Sequence, residues 1–153
     1  MFGMKRLAVF ILFLIPFVLI FLLKTNASAS IFDIEGIEKV CVATTDDVVG
    51  ENTVQTLGYN YVYIKGDEIK EKINNFSVEG ISLFINNGNT EKIIKSLNML
   101  VFSEEIVANK RVIYGYTPQY SDFVIINNKK VNTQIVMDNK ECVVGFPLIL
   151  GGF

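Results

Sequence analysis

Leu100–Thr117 reads LVFSEEIVANKRVIYGYT and sets the fold class of the chain. Its two halves, Leu100–Val107 and Lys110–Thr117, are rich in β-branched and aromatic residues, which favour strands. Between them, Ala108-Asn109 is short enough to form a hairpin turn. The stretch therefore predicts two antiparallel strands, and from here to the C-terminus the pattern indicates strands only.

Two further hairpins are predicted downstream. Phe123–Ile126 and Lys129–Met137 flank Asn127-Asn128, a dipeptide that tolerates the left-handed conformations of a tight turn. A turn at residues 138–140 then leads into a last strand, Glu141–Ile149. Four or five consecutive antiparallel strands are thus expected in the second half.

Upstream, strands alternate with two short helices. Helical spacing of apolar residues indicates helices at Asp67–Phe76 and Thr90–Asn98, with Asp67 placed to cap the first. The turn Asn86–Asn89 precedes the second helix and caps it. Strands are predicted at Glu38–Thr44, Thr53–Ile64 and Gly80–Ile85. We therefore expect an α+β sandwich, a mostly antiparallel sheet with two short helices on one face.

The N-terminal stretch Leu7–Leu23, LAVFILFLIPFVLIFLL, has no charged side chain. As a helix it would reach roughly 26 Å, near the lower limit for crossing the ~30 Å hydrocarbon core of a bilayer. Lys5 and Arg6 precede it, so the positive-inside rule places the short N-terminus in the cytoplasm and the rest outside. The sequence thus predicts a transmembrane or signal helix.

Two fates of this helix stay open. Ala27-Ser28-Ala29 has the small-x-small form of a signal-peptidase site, whereas the length of the apolar run and Lys24 behind it favour a retained anchor. We expect residues 1–29 to be a membrane anchor or signal peptide, 30–37 a linker, and 38–153 an extracytoplasmic α+β domain. The protein is then a single-pass membrane protein with its domain outside, or is secreted after cleavage at Ala29.

The charge of the domain argues against nucleic acid as a partner. Of 14 basic residues in the 153-residue chain, three belong to the leader, which leaves 11 against 16 acidic residues and a formal charge of −5. Nucleic-acid binding needs a positive field, so we exclude it. Histidine is absent and no CxxC occurs, so we expect no metal site and no cofactor.

Cys41 and Cys142 are the two cysteines. In an oxidising compartment a disulfide between them would close a long loop and stabilise the fold by up to ~4 to 5 kcal/mol. The alternative is that both are small, buried, apolar residues in strands. Sequence alone leaves the two readings open.

Catalysis without histidine would need matched carboxylates or an activated lysine. The adjacent pair Glu104-Glu105 points to opposite faces of a strand, so it cannot converge on one substrate. A carboxylate-dependent enzyme acting on the cell wall, using Glu104, Glu105 or Asp122, is the alternative hypothesis. A non-enzymatic protein is the leading one.

Tyrosines supply the candidate contact surface. Tyr59, Tyr61 and Tyr63 alternate along one predicted strand, and Tyr114, Tyr116 and Tyr120 surround Pro118. Exposed aromatic rings bind peptides and glycans, although rings at period two also serve to cover a sheet. Asn132 and Gln134 share a face of a predicted strand, either pairing across strands or forming a polar patch. The candidate partner-binding residues are therefore Tyr114, Tyr116, Tyr120, Asn132 and Gln134.

The C-terminal residues resemble a known family. Three stretches carry the likeness: a KxNxQI pattern at Lys130–Ile135, a VGxP pattern with apolar residues within Cys142–Ile149 after a short hairpin, and a terminal aromatic ring at Phe153. Together they are similar to the tail of the YwmB-like exported proteins of spore-forming Gram-positive bacteria. The likeness covers roughly the second half of the chain. It implies an exported protein with no agreed catalytic residues and a fold related to that of the TATA-box-binding protein.

These expectations combine into one functional hypothesis. The chain is a membrane-anchored or secreted domain that binds an envelope protein or a cell-wall component without catalysing a reaction. A link to sporulation or wall assembly is implied by the resemblance alone. A third hypothesis is a structural membrane subunit whose helix, kinked at Pro16, packs against other spans.

Overall fold

A computed structural model describes residues 31–48, 50, 52–56, 58–138 and 141–150. The expected anchor or signal peptide, residues 1–29, lies outside this part of the chain. Within the described residues, no helix has both the length and the apolar character that crossing a bilayer requires.

The described chain is α+β, as the sequence predicts, with ten strands and two short α-helices. α1 (Ile69–Lys72) lies between two 3-10 turns, Gly66–Glu68 and Ile73–Asn75, and α2 is Thr90–Ser96. A further 3-10 turn covers Ile31–Asp33. The strands are β1 Ile37–Thr44, β2 Thr53–Gln55, β3 Asn60–Lys65, β4 Val78–Asn86, β5 Leu100–Val107, β6 Lys110–Tyr116, β7 Val124–Ile126, β8 Lys129–Val131, β9 Thr133–Met137 and β10 Glu141–Phe146.

Eight strands form one sheet in the order β2-β3-β1-β4-β10-β9-β6-β5, and every neighbouring pair is antiparallel. β7 and β8 form a separate two-stranded ribbon. The sheet's centre is therefore assembled from the two ends of the domain, because β4 lies between β1 and β10.

Both helices pack on one face of this sheet. Val40 of β1 and Val144 of β10 lie on either side of Leu83 in β4, so all three project from the same face. They belong to one hydrophobic cluster that also contains residues of both helical segments: Ile69, Ile73, Ile93 and Leu97. Burial of this apolar surface is the main stabilising contribution to the fold.

A short C-terminal arm, residues 147–150, lies across the opposite face. The amide of Ile149 donates to Oε1 of Gln134 at 3.0 Å, and the amide of Leu150 donates to Oγ of Ser82 at 2.7 Å. Gly145 lies directly beneath the arm, where a Cβ would collide with the backbone of Ile149. The expected last strand therefore ends at Phe146, and its remaining residues form the arm.

Two other long predicted strands are broken. Thr53–Ile64 is a hairpin of β2 and β3, because the chain turns at Gly58, whose φ is +110°. Lys129–Met137 divides at Asn132, where β8 pairs with β7 while β9 pairs with β6 and β10. The first break is a local turn, whereas the second divides a segment whose two parts pair with different strands.

Residues 31–37 do not form the expected linker. Ile31 and Ile34 are 1% and 7% exposed and belong to the core cluster, and Ile37 begins β1. The segment is therefore part of the folded domain. A linker would leave such apolar side chains in water.

Of the two helix caps that the sequence predicts, one is absent and one is present. Asp67 does not cap the first helical segment, which begins at Gly66 without a side-chain cap. Glu68 and Lys72, one helical turn apart, form an ion pair with Nζ and Oε2 2.6 Å apart. The capping function of the Asn86–Asn89 turn is confirmed, because Oδ1 of Asn89 accepts from the amide of Lys92 at 3.0 Å.

Candidate functional site

A cleft of about 610 Å³ opens beside Tyr120. Its floor is apolar and its rim is polar, the combination found in many binding sites. The apolar lining consists of Ile31, Phe32, Ile73, Phe76, Val78, Ile81 and Tyr120, and the rim of Lys70, Asn74 and Asp122. We call this the Tyr120 cleft.

The wall that carries Tyr120 is held by a buried amide. Asn132 is 0% exposed; its Nδ2 donates to the carbonyls of Thr117 at 2.7 Å and Tyr120 at 2.6 Å. Its Oδ1 accepts from the amide of Thr117 at 2.7 Å and from Oγ1 of Thr133 at 3.1 Å. Asn132 thus fixes residues 117–120 against β9 and holds one side of the cleft in place.

Tyr120 itself packs into the core. Its ring centroid lies 5.4 Å from that of Phe146, which is fully buried. Burial raises the pKa of Tyr120 to about 12, with smaller contributions from Asp122 and Glu79. The phenol therefore stays neutral at physiological pH and acts as an apolar wall with one hydroxyl group.

Opposite charges mark the rim. Nζ of Lys70 lies 3.5 Å from Oδ1 of Asp33, and both side chains are well exposed. Exposed pairs of this kind contribute little to stability. Lys70 and Asp122 are accordingly available to a ligand that enters the cleft.

The structure divides the predicted contact residues between the two faces of the sheet. Tyr114 and Gln134 are directly opposite each other on β6 and β9, on the face that the arm crosses. The pKa of the Tyr114 phenol is raised, chiefly by burial and then by its interaction with Glu105. Tyr116 is half-buried on the same strand. These residues do not join Tyr120, which packs against the core on the other face.

Asn132 is not placed for direct contact with a partner. It was a candidate because its amide was expected on a strand surface, but the break between β8 and β9 turns it inward. Both polar atoms of its side chain are hydrogen-bonded within the chain. Gln134 is likewise engaged, by the arm.

Two rings of the second tyrosine group, Tyr59 and Tyr61, line a smaller hollow of about 230 Å³ together with the arm. Tyr61 and Tyr63 are half-buried on β3, and Nζ of Lys39 lies 5.8 Å from the ring centroid of Tyr63 and 4.3 Å from that of Phe84. Tyr59 precedes β3 and is 45% exposed.

The candidate carboxylates are dispersed. Glu104 forms two hydrogen bonds with Arg111, Oε1 to Nε at 2.6 Å and Oε2 to Nη2 at 2.9 Å, which lower its pKa. Glu105 projects from the other face of β5, since it is opposite Val112 while Glu104 is opposite Ile113. Asp122 lines the Tyr120 cleft, beside β4. β4 and β5 are four strand positions apart in the sheet, a separation of roughly 19 Å.

Cys41 and Cys142 are free and 1% exposed. They lie on the two strands that flank β4, opposite Ser82 and Ile85 respectively, and therefore on opposite faces of the sheet. This register separates their Cα atoms by roughly 14 Å, about twice the ~7 Å that a disulfide spans. The structure thus favours buried apolar cysteines over the disulfide.

Burial also keeps both thiols unreactive. It raises the pKa of Cys142 to about 11 and also raises the pKa of Cys41. Among the described residues, no three histidine, cysteine or acidic side chains come together to hold a metal ion.

Most of the Tyr120 cleft lay beyond what sequence patterns reveal. Tyr120 and Asp122 were singled out, but Ile31 and Phe32 fell in the expected linker, and Ile73 and Phe76 read as ordinary helix residues facing a core. The apolar pair Ile31-Phe32 at the start of the domain is the one signal that could have pointed to Phe32.

Comparison with known proteins leaves the chain without an assigned relative: no family model, no curated protein and no solved structure matches it.

Proposed function

We propose that this chain is a membrane-anchored or secreted protein of the cell envelope whose exported domain binds a partner without catalysing a reaction. The Tyr120 cleft carries the proposal. Its volume and apolar lining suit one or two apolar side chains of an extended peptide, and Lys70 and Asp122 at the rim provide charges that orient the backbone or a polar neighbour.

The side chains around the cleft support binding rather than chemistry. Tyr120 is neutral at physiological pH, and within the described ranges Asp122 is the one carboxylate that lines the cleft. The pKa of Glu104 is lowered by Arg111, so Glu104 is a poor proton donor near neutral pH. A carboxylate pair of the kind that hydrolases use would need two such groups roughly 5 to 10 Å apart.

The YwmB-like assignment is part of the proposal, together with a fold related to the TATA-box-binding protein and a role in sporulation or wall assembly. It rests on the C-terminal sequence pattern. Three positions of that pattern have a structural role in this fold: Asn132 fixes the cleft wall, Gln134 accepts a hydrogen bond from the arm, and Gly145 lies beneath the arm. Fold alone does not carry function.

Localisation is the first test. The probe is a reporter that is active only outside the cytoplasm, fused behind Phe153 of the full chain. We expect it to be active, because the apolar stretch Leu7–Leu23 and the positive residues before it should carry the domain across the membrane. Activity of a cytoplasm-specific reporter at the same position would contradict the proposal.

Binding is tested in the same cells with a photo-crosslinking amino acid at Asn74, an exposed residue of the cleft rim. We expect a covalent adduct with an envelope protein or a wall fragment, and we expect Asp122→Lys to reduce it. A crosslinker at Gln55, exposed on β2, is the positional control, and Asp67→Lys is the charge control. Equal adducts at Asn74 and Gln55, or none at Asn74, would count against the cleft.

A further inference from the structure

The outer edge of β5 is long, apolar and exposed. Among the described residues, β5 pairs with β6 alone, and it carries four of the eight exposed large hydrophobic residues. They are Leu100 at 61%, Val101 at 41%, Ile106 at 68% and Val107 at 51% exposed. An edge strand of this kind presents free backbone groups to another strand.

The opposite edge of the same sheet is different. β2 is three residues long, and Val54 is its one exposed large hydrophobic residue. Short edges are a common means of preventing strand addition. The contrast indicates that β5, with eight residues, is the edge built for pairing.

The register of the β5–β6 hairpin shows which backbone groups point outward. Val107 and Lys110 close a two-residue turn, so Val107, Glu105 and Ser103 exchange hydrogen bonds with β6. Glu104 and Ile106 then direct their N–H and C=O groups away from β6. A bulge between Val101 and Ser103 shifts the alternation by one residue, which also turns the backbone groups of Val101 outward.

This outward pattern is complementary to itself. If two β5 strands pair antiparallel with Glu104 on the two-fold axis, Ile106 of one copy lies opposite Val101 of the other. Val107 then lies opposite Leu100. The bulge keeps each of these pairs on a common face, so apolar side chains meet apolar side chains on both sides of the joined sheet. A symmetric contact of this type is the commonest way in which identical chains associate.

Charge at the axis is the unfavourable contribution. Two copies of Glu104 would face each other, and like charges directly opposite destabilise a strand pair. Each Glu104, however, is already held by both hydrogen bonds to its own Arg111. The two carboxylates and two guanidinium groups together carry no net charge.

We propose that β5 is the contact between two copies of this chain, which pair antiparallel about an axis at Glu104 and join their sheets into one. An edge contact of eight residues is smaller than most stable interfaces, so we expect the pair to form where the chain is concentrated. The proposal does not depend on the Tyr120 cleft or on what that cleft binds.

The test is site-directed crosslinking of the full-length protein in the cells that express it. Ser103→Cys places a thiol on an exposed residue and leaves Glu104 and Arg111 intact. In the proposed pair the two copies of Ser103 are diagonal neighbours, roughly 7 to 8 Å apart, so a bis-maleimide of similar span should give a covalent dimer. Cys41 and Cys142 are 1% exposed and should not react in the folded protein.

Two controls decide the result. Val54→Cys, on the β2 edge, should give no dimer. Adding Ile106→Lys to Ser103→Cys should reduce the dimer about tenfold, which corresponds to ~1.4 kcal/mol, because a lysine then lies opposite the apolar Val101. The proposal is overturned if Ser103→Cys gives no dimer, if Val54→Cys dimerises equally, if Ile106→Lys has no effect, or if the adduct contains a different protein.

Discussion

At the scale of single residues, Asn132 has the largest consequence for the candidate site. Replacing it with leucine removes the partners of the Thr117 amide and carbonyl, which are buried, and of the Tyr120 carbonyl, which is partly buried. Each buried group left without a partner costs ~1 to 3 kcal/mol. We expect Asn132→Leu to lower the free energy of unfolding by about 3 kcal/mol or more.

Urea denaturation of the full-length protein in mild detergent, followed by tyrosine circular dichroism, measures this change, since the chain has six tyrosines and no tryptophan. Asn75→Leu is the matched control, because Asn75 is exposed. A similar loss in both variants would show that the buried amide has no special role.

The orientation of Asn132 could not be predicted from the sequence. The KxNxQI pattern identified the residue as important, but its alternation with Gln134 suggested a strand surface. Its partners, Thr117 and Tyr120, are 15 and 12 residues away. Whether an amide faces water or the interior depended on those distant groups.

At the scale of elements, the C-terminal arm depends on the absence of a side chain at Gly145. In Gly145→Ala the new Cβ would occupy the space of the Ile149 backbone, so the arm must lift from the sheet. We expect the arm's hydrogen bonds to Gln134 and Ser82 to be lost, at a cost of about 1 to 3 kcal/mol.

Hydrogen exchange at the amides of Ile149 and Leu150 reports this directly, and both should exchange faster in Gly145→Ala. Gly50→Ala serves as the control, since a Cβ there would meet only Oγ1 of Thr53 at 3.7 Å, an ordinary contact. Unchanged exchange in Gly145→Ala would mean that the arm is not seated as described.

Elements with local signals were predictable and those defined by distant pairing were not. The hairpin of β5 and β6, the strand β4 and the helix α2 lie within a few residues of their predicted bounds, because alternation, turn residues and a cap are local features. The break at Asn132, the folded state of residues 31–37 and the order of the eight strands depend on contacts between remote segments. The Tyr120 cleft, assembled from four such segments, was therefore the least predictable feature.

At the scale of the whole molecule, the position of β4 between β1 and β10 fixes the state of the cysteines. Both thiols should remain free in protein recovered from its native cell, because they lie on opposite faces of the sheet and too far apart to bond. Alkylation of the denatured chain without reductant should add two labels, as measured by intact mass. Incorporation of two labels only after reduction would contradict this register.

The central place of β10 bears on when the domain can fold. β10 is made after every other described strand, yet it fills the gap between β4 and β9. Until the ribosome has released it, each half of the sheet has a bare edge and the core is open to solvent. A chain built in this order completes its sheet and its core only when the last of the described strands has been made.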